Sequence, residues 1–221
     1  MELNALVHEL EEALQQMLGS AVTSSGRQNP LADYILKRLS QRLPPHLLPY
    51  VQRETRVPGL AREKSWDLGL VYPGGKGSLK KPRMLMSLKS ILANPSGSWP
   101  NRLDDLVGEV SSVQMLFPEV VVGYGVVLDH GAPTKGKRPM GDELEVLYKR
   151  FKNGLAALAK REPPLWAQGL IEGYWVVEID TRRQPALLDP LETVKRGEDF
   201  LDALVNALRQ REPLLFLDKS E

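Results

Sequence analysis

Cysteine is absent from this chain, histidine occurs three times, and aromatic residues make up only 6% of 221 positions. Without cysteine there is no disulfide framework, no thiolate nucleophile and no thiolate-ligated zinc or iron–sulfur site. His8, His46 and His130 are scattered, with neither the spacing of metal ligands nor a triad pattern around them. Long apolar runs are missing too, since no stretch approaches the roughly 20 residues a membrane-spanning helix needs. The N-terminus, MELNALVHELEE, is acidic and amphipathic where a secretory signal is basic and then apolar. A cytoplasmic protein with no membrane partner is expected. An excess of one charge is also lacking, because Lys and Arg exceed Asp and Glu by a net +1. A nucleic-acid partner would therefore be gripped by local basic patches and not by the overall field.

What is present is the balance of a globular chain, 42% hydrophobic and 26% charged. The length suits one substantial core, so residues 1–221 read as one domain. Leu3, Leu6, Leu10, Leu14 and Met17 recur at helical spacing and predict a helix over 2–18. A second is expected around Leu31, Ile35, Leu36 and Leu39, stopped by Pro44 and Pro45. The following stretch, up to Pro58, reads equally well in either class. SWDLGLVY (65–72) and RMLMSLKS (83–90) read as strands of a hairpin whose connection, PGGKGSLKKP, is turn-rich and basic. SILANPSGSWP reads as a loop, 101–116 as a helix, and EVVVGYGVVL as a buried strand at the centre of a sheet. A helix over roughly 141–160, a strand at 174–180 and a helix near 193–211 complete the order. The expected architecture is α/β, with a helical N-terminal part (1–60), a core (64–129) and C-terminal helices and strand (130–221).

Strand alternation puts Ser87 and Lys89 on one face. Across the hairpin, Asp67 can lie near both. The next helix carries Arg102, Asp105 and Glu109 at spacings of three and four, so a second carboxylate can reach the same spot. Two carboxylates beside a lysine suit phosphodiester hydrolysis: hard oxygen ligands hold Mg²⁺ or Mn²⁺, and the lysine orients or helps deprotonate the attacking water. Taken alone, an Asp and a Ser-x-Lys are equally a solvated ion pair, and Asp105 and Glu109 equally a wet helix face.

The segments WDLGLVY and MSLKSILANPSGSWPNRLDDLVGEVSSVQMLFPEVVVGYGVVL resemble the core of the PD-(D/E)XK nuclease superfamily, above all the type II restriction endonucleases. The resemblance covers residues 64–129. It implies a restriction-endonuclease-like mixed central β-sheet flanked by helices. It also implies a Mg²⁺-dependent deoxyribonuclease acting on double-stranded DNA, a homodimer if both strands are cut. Asp67 takes the place of the first acid and Lys89 that of the lysine, while Ser87 stands where the second acid usually does. Members with serine there recruit a glutamate from the next helix, which implies Glu109, or alternatively Asp105, as the second metal ligand beside Asp67. Gly108 ahead of Glu109 is expected to allow close approach. Glu9 and Glu12 are candidates for a further glutamate from the first helix.

Lys76, Lys80, Lys81 and Arg102 are the expected DNA contacts, with Arg83, Lys135, Lys137 and Arg138 available for a phosphate-gripping rim. GGKGS at 74–78 lacks the full spacing of a phosphate-cradling loop and reads as a hairpin tip. Two other functions stay open: a non-catalytic DNA-binding or assembly module that kept the nuclease fold, and a repair nuclease that recognises DNA shape.

Overall fold

The computed structural model describes residues 2–20, 26–72, 81–133, 141–159, 161 and 169–217. Their elements run α1 (Glu2–Gly19), α2 (Asn29–Ser40), β1 (Val51–Val57), β2 (Lys64–Tyr72), β3 (Lys81–Ile91), α3 (Pro95–Leu116), β4 (Val121–Asp129), α4 (Gly141–Leu158), β5 (Gly173–Ile179) and α5 (Pro190–Arg211). The five strands form one mixed sheet in chain order, antiparallel through β1, β2 and β3 and parallel through β3, β4 and β5. No described helix is long and apolar enough to cross a membrane.

The apolar pattern dictates the layers. Every residue of β4 is buried, so helices must cover both of its faces. On one face Leu68, Met86 and Leu88 meet Leu10 and Met17 of α1, Leu31 and Ile35 of α2, and Phe200 and Leu204 of α5. On the other, Leu85, Ile91, Val122 and Val126 meet Val110 and Val113 of α3 and Tyr148, Phe151 and Leu155 of α4. Gly123 is glycine because α5 lies so near: a Cβ there would come within 2.6 Å of Leu204 Cδ1 and 2.9 Å of Phe200 Cζ.

Three expectations need correction. The N-terminal part is not wholly helical, since Val51–Val57 forms an edge strand on β2. Its sequence, VQRETRV, buries only Thr55 and Val57, so hydrophobic alternation gave little warning of it. The helix expected from 101 begins at Pro95 and β3 runs on to Ile91, so SILANPSGSWP is a loop only at residues 92–94. Pro95 occupies the first helical turn, where a missing N–H leaves no bond unmade, and Pro100 is taken into the helix. β4 is flanked by β3 and β5, which puts it one strand away from the middle of the sheet.

Candidate active site

Asp67 stands where β2 and β3 part company. Their antiparallel register runs from Tyr72↔Lys81 to Leu68↔Met86 and stops one residue short of Asp67. There the carboxylate takes over from the ladder, Oδ2 accepting the backbone N–H of Leu88 at 2.7 Å. This fixes the acid of one strand to the Ser87–Leu88–Lys89 segment of the next.

Leu85 and Ile91, on either side of Ser87 and Lys89 in the alternation, lie in the core beneath α3 and α4, whereas Met84, Met86 and Leu88 lie in the opposite core. Ser87 and Lys89 therefore belong to the α3 face. Ser87 is buried and sits beside Tyr124 of β4 in the parallel register. Lys89 is half-buried and has no salt-bridge partner among the described residues. Glu109 comes in from α3, its side chain 25% exposed, with Lys64 Nζ 3.6 Å away.

Electrostatics ties these groups together. Burial lifts the Asp67 carboxyl above its ordinary range; the Leu88 N–H and the Lys89 ammonium pull it down, and the Glu109 charge pushes it further up. Burial likewise raises the Tyr124 hydroxyl, with Arg102 opposing and Glu109, Asp105 and Asp67 adding to the effect. The structure thus brings Asp67, Ser87, Lys89 and Glu109 to one corner of the α3 face.

Other expected site residues lie elsewhere. Asp105 is exposed and 3.7 Å from Arg102 Nη1. Glu9 is bonded to Lys37 at 2.8 Å and Glu12 faces His8, both on α1 in the opposite layer. Gly108 makes no close approach, because a Cβ there would meet open space. Lys81 lies at the far end of β3, about 26 Å from Lys89 at roughly 3.3 Å per residue. It is paired with Glu119 and, at 3.3 Å, with Glu212, which also holds Arg83. Local ion pairing therefore accounts for both cations without any DNA. Lys76, Lys80, Lys135, Lys137 and Arg138 lie outside the described residues. His130 is engaged with Glu178 at 3.1 Å, which Lys152 also holds at 2.9 Å.

Two members of the corner are not legible from the sequence pattern. Alternation back from Leu68 and Leu70 assigns Lys64 to the face away from α3, yet it reaches Glu109, because the faces exchange at Asp67: Trp66 lies in the core beneath α3 and Leu68 in the opposite one. Tyr124 reads as an ordinary core residue of an apolar strand.

Asp67 and Glu109 are the residues that could hold a divalent cation. Mg²⁺ commonly keeps several waters and takes one or two carboxylates. A desolvated Asp67 with its charge only partly offset fits such a partner. Among the described residues there is no group of three or more His, Cys, Asp or Glu side chains suited to a metal, so waters and substrate oxygens would complete the coordination. Neither a scan against protein-family models nor a search of curated proteins finds a match to this chain.

Proposed function

We propose that this chain is a metal-dependent endonuclease of the PD-(D/E)XK kind, hydrolysing phosphodiester bonds of double-stranded DNA. The observation that carries the reading is the Asp67 carboxylate, anchored on the Leu88 N–H and acted on by both Lys89 and Glu109. A structural ion pair would satisfy Lys89, and here it acts on a desolvated acid without closing to salt-bridge distance on any described carboxylate. The five-stranded mixed sheet, with helices on both faces, suits a restriction-endonuclease-like fold.

In this reading Asp67 and Glu109 hold Mg²⁺ or Mn²⁺, which when bound lowers the pKa of water and offsets charge on the phosphoryl oxygens. Lys89, as an ammonium, donates to the attacking water and offsets the charge that grows on it, while the proton the water loses passes to solvent. Asp67 is kept in place by the Leu88 N–H, so its geometry does not depend on the ion. Ser87, buried against β4, fills the position of the usual second acid without adding charge. Cleavage of both strands calls for two such sites and hence a homodimer.

The test is incubation of supercoiled plasmid and phage DNA with Mg²⁺ or Mn²⁺, comparing wild type with Lys89→Ala and Asp67→Ala. Metal-dependent cutting lost in both variants is expected, with discrete fragments if the enzyme reads sequence and a smear if it reads shape. Binding of duplex DNA by a wild type that never cuts it would replace the nuclease with a non-catalytic module.

A further inference from the structure

We propose that Tyr124 is a positioning residue of this site: its hydroxyl donates to Glu109 in a second arrangement of that side chain, released from Lys64, which draws Glu109 to Asp67 and Lys89. The proposal rests on the metal-site reading given above.

Tyr124 is 1% exposed, and its hydroxyl has no hydrogen-bond partner among the described residues. A buried hydroxyl left unbonded is a standing cost that phenylalanine in the same slot would avoid. As a donor it has three carboxylates acting on it, Glu109, Asp105 and Asp67, with Arg102 the opposing charge. Asp67 already accepts the Leu88 N–H, and Asp105 is exposed beside Arg102. Glu109 is the acid left to move. Its ion pair with Lys64 is long, at 3.6 Å, and both side chains are about a quarter exposed. Such a contact holds a glutamate weakly, so a bond to a buried donor can replace it once a cation compensates the charge. Tyr124 is rigid where Glu109 is flexible, being wedged between β3 and β5 with Ser87 at its side.

The experiment is a Mg²⁺ titration of the full chain carrying ¹³Cζ-labelled tyrosine, the Tyr124 resonance being identified by its loss in Tyr124→Phe. Calorimetry of Mn²⁺ binding to both proteins runs alongside. The expected result is that the Tyr124 resonance shifts with Mg²⁺ in wild type but not in Glu109→Ala, and that Tyr124→Phe, folded and with an unchanged or higher unfolding midpoint, binds Mn²⁺ about tenfold more weakly. An unmoved resonance and unaltered Mn²⁺ affinity in a protein that does bind the ion would overturn the role of Tyr124 and leave the metal site standing. If wild type binds neither ion, both readings fall together.

Discussion

The charge state of Asp67 leads to a crossing of two melting curves. Its carboxyl is held above the ordinary range chiefly by burial, so between the unfolded and the folded pKa the native state binds more protons than the unfolded chain. Stability conferred by that proton is present at low pH and lost as pH rises through the folded value, and the penalty for the bare carboxylate is complete above it. Asp67→Asn removes the penalty while keeping an oxygen to accept the Leu88 N–H, so without metal the variant should melt at a higher temperature than wild type near neutral pH. A cation reverses the order. An ion that binds only the folded chain at a hundred times its Kd stabilises it by about 2.7 kcal/mol. In a chain of this size that is worth roughly 5–11 °C in midpoint. Wild type should gain this shift from Mg²⁺ or Mn²⁺, and Asp67→Asn and Glu109→Gln should lose most of it. Scanning calorimetry with and without the ion, at fixed ionic strength, reads all six midpoints. An equal metal shift in wild type and Asp67→Asn would refute the assignment of Asp67 as a ligand, and a metal-free Asp67→Asn that melts below wild type would refute the desolvation argument.

Two further outcomes follow from neighbouring contacts. Lys64→Met frees Glu109 and takes a positive charge from beside the two acids; since exposed pairs are worth about 0.2–1 kcal/mol, Mn²⁺ affinity should rise up to about fivefold by calorimetry, and a fall would count against Glu109 as a ligand. Outside the candidate site, the Glu172 carboxylate is 2% exposed between Arg211 at 2.6 Å and Arg161 at 3.5 Å. Glu172→Ala takes the carboxylate from the buried Arg211 guanidinium and should cost about 3–5 kcal/mol in urea unfolding, whereas a loss below about 1 kcal/mol would show that this pair is solvated in the native state.

Sequence periodicity was informative wherever a face was continuously apolar. The helix of Leu3 to Met17, the strand SWDLGLVY and the fully buried β4 are found close to where their patterns place them. It failed where pairing or capping overrode pattern. VQRETRV is a strand because β2 offers it a ladder, and Pro95 opens a helix that a breaker rule would have delayed. At the site, alternation suffices for Ser87 and Lys89, and hairpin logic for Asp67. Lys64 escapes because the two-residue period breaks at Asp67, with Trp66 on one side of the sheet and Leu68 on the other, and Tyr124 because nothing in an apolar strand announces that its hydroxyl will lack a partner.

That missing partner separates this corner from the rest of the molecule. Elsewhere buried polar groups are well provided for: Asp129 accepts from Gly131 N, Thr181 N and Thr181 Oγ1, and Trp175 Nε1 donates to the Thr193 carbonyl. Among the buried polar atoms without a bond, those of Gln28 and Arg83 belong to side chains that bond through another atom, Gln28 to Ser90 and Arg83 to Glu212. The other three are Trp66 Nε1, next to Asp67 in β2, Arg102 Nε and the Tyr124 hydroxyl. Trp66 adjoins the acid in sequence, and the other two belong to the electrostatic surroundings of the acids. A fold selected for stability alone would bury phenylalanine in place of Tyr124 and put no desolvated, only partly offset carboxylate at Asp67. Unmet hydrogen bonds and a partly offset charge gathered at one end of a parting strand pair are what the proposed site would leave for ions, waters and substrate oxygens to meet.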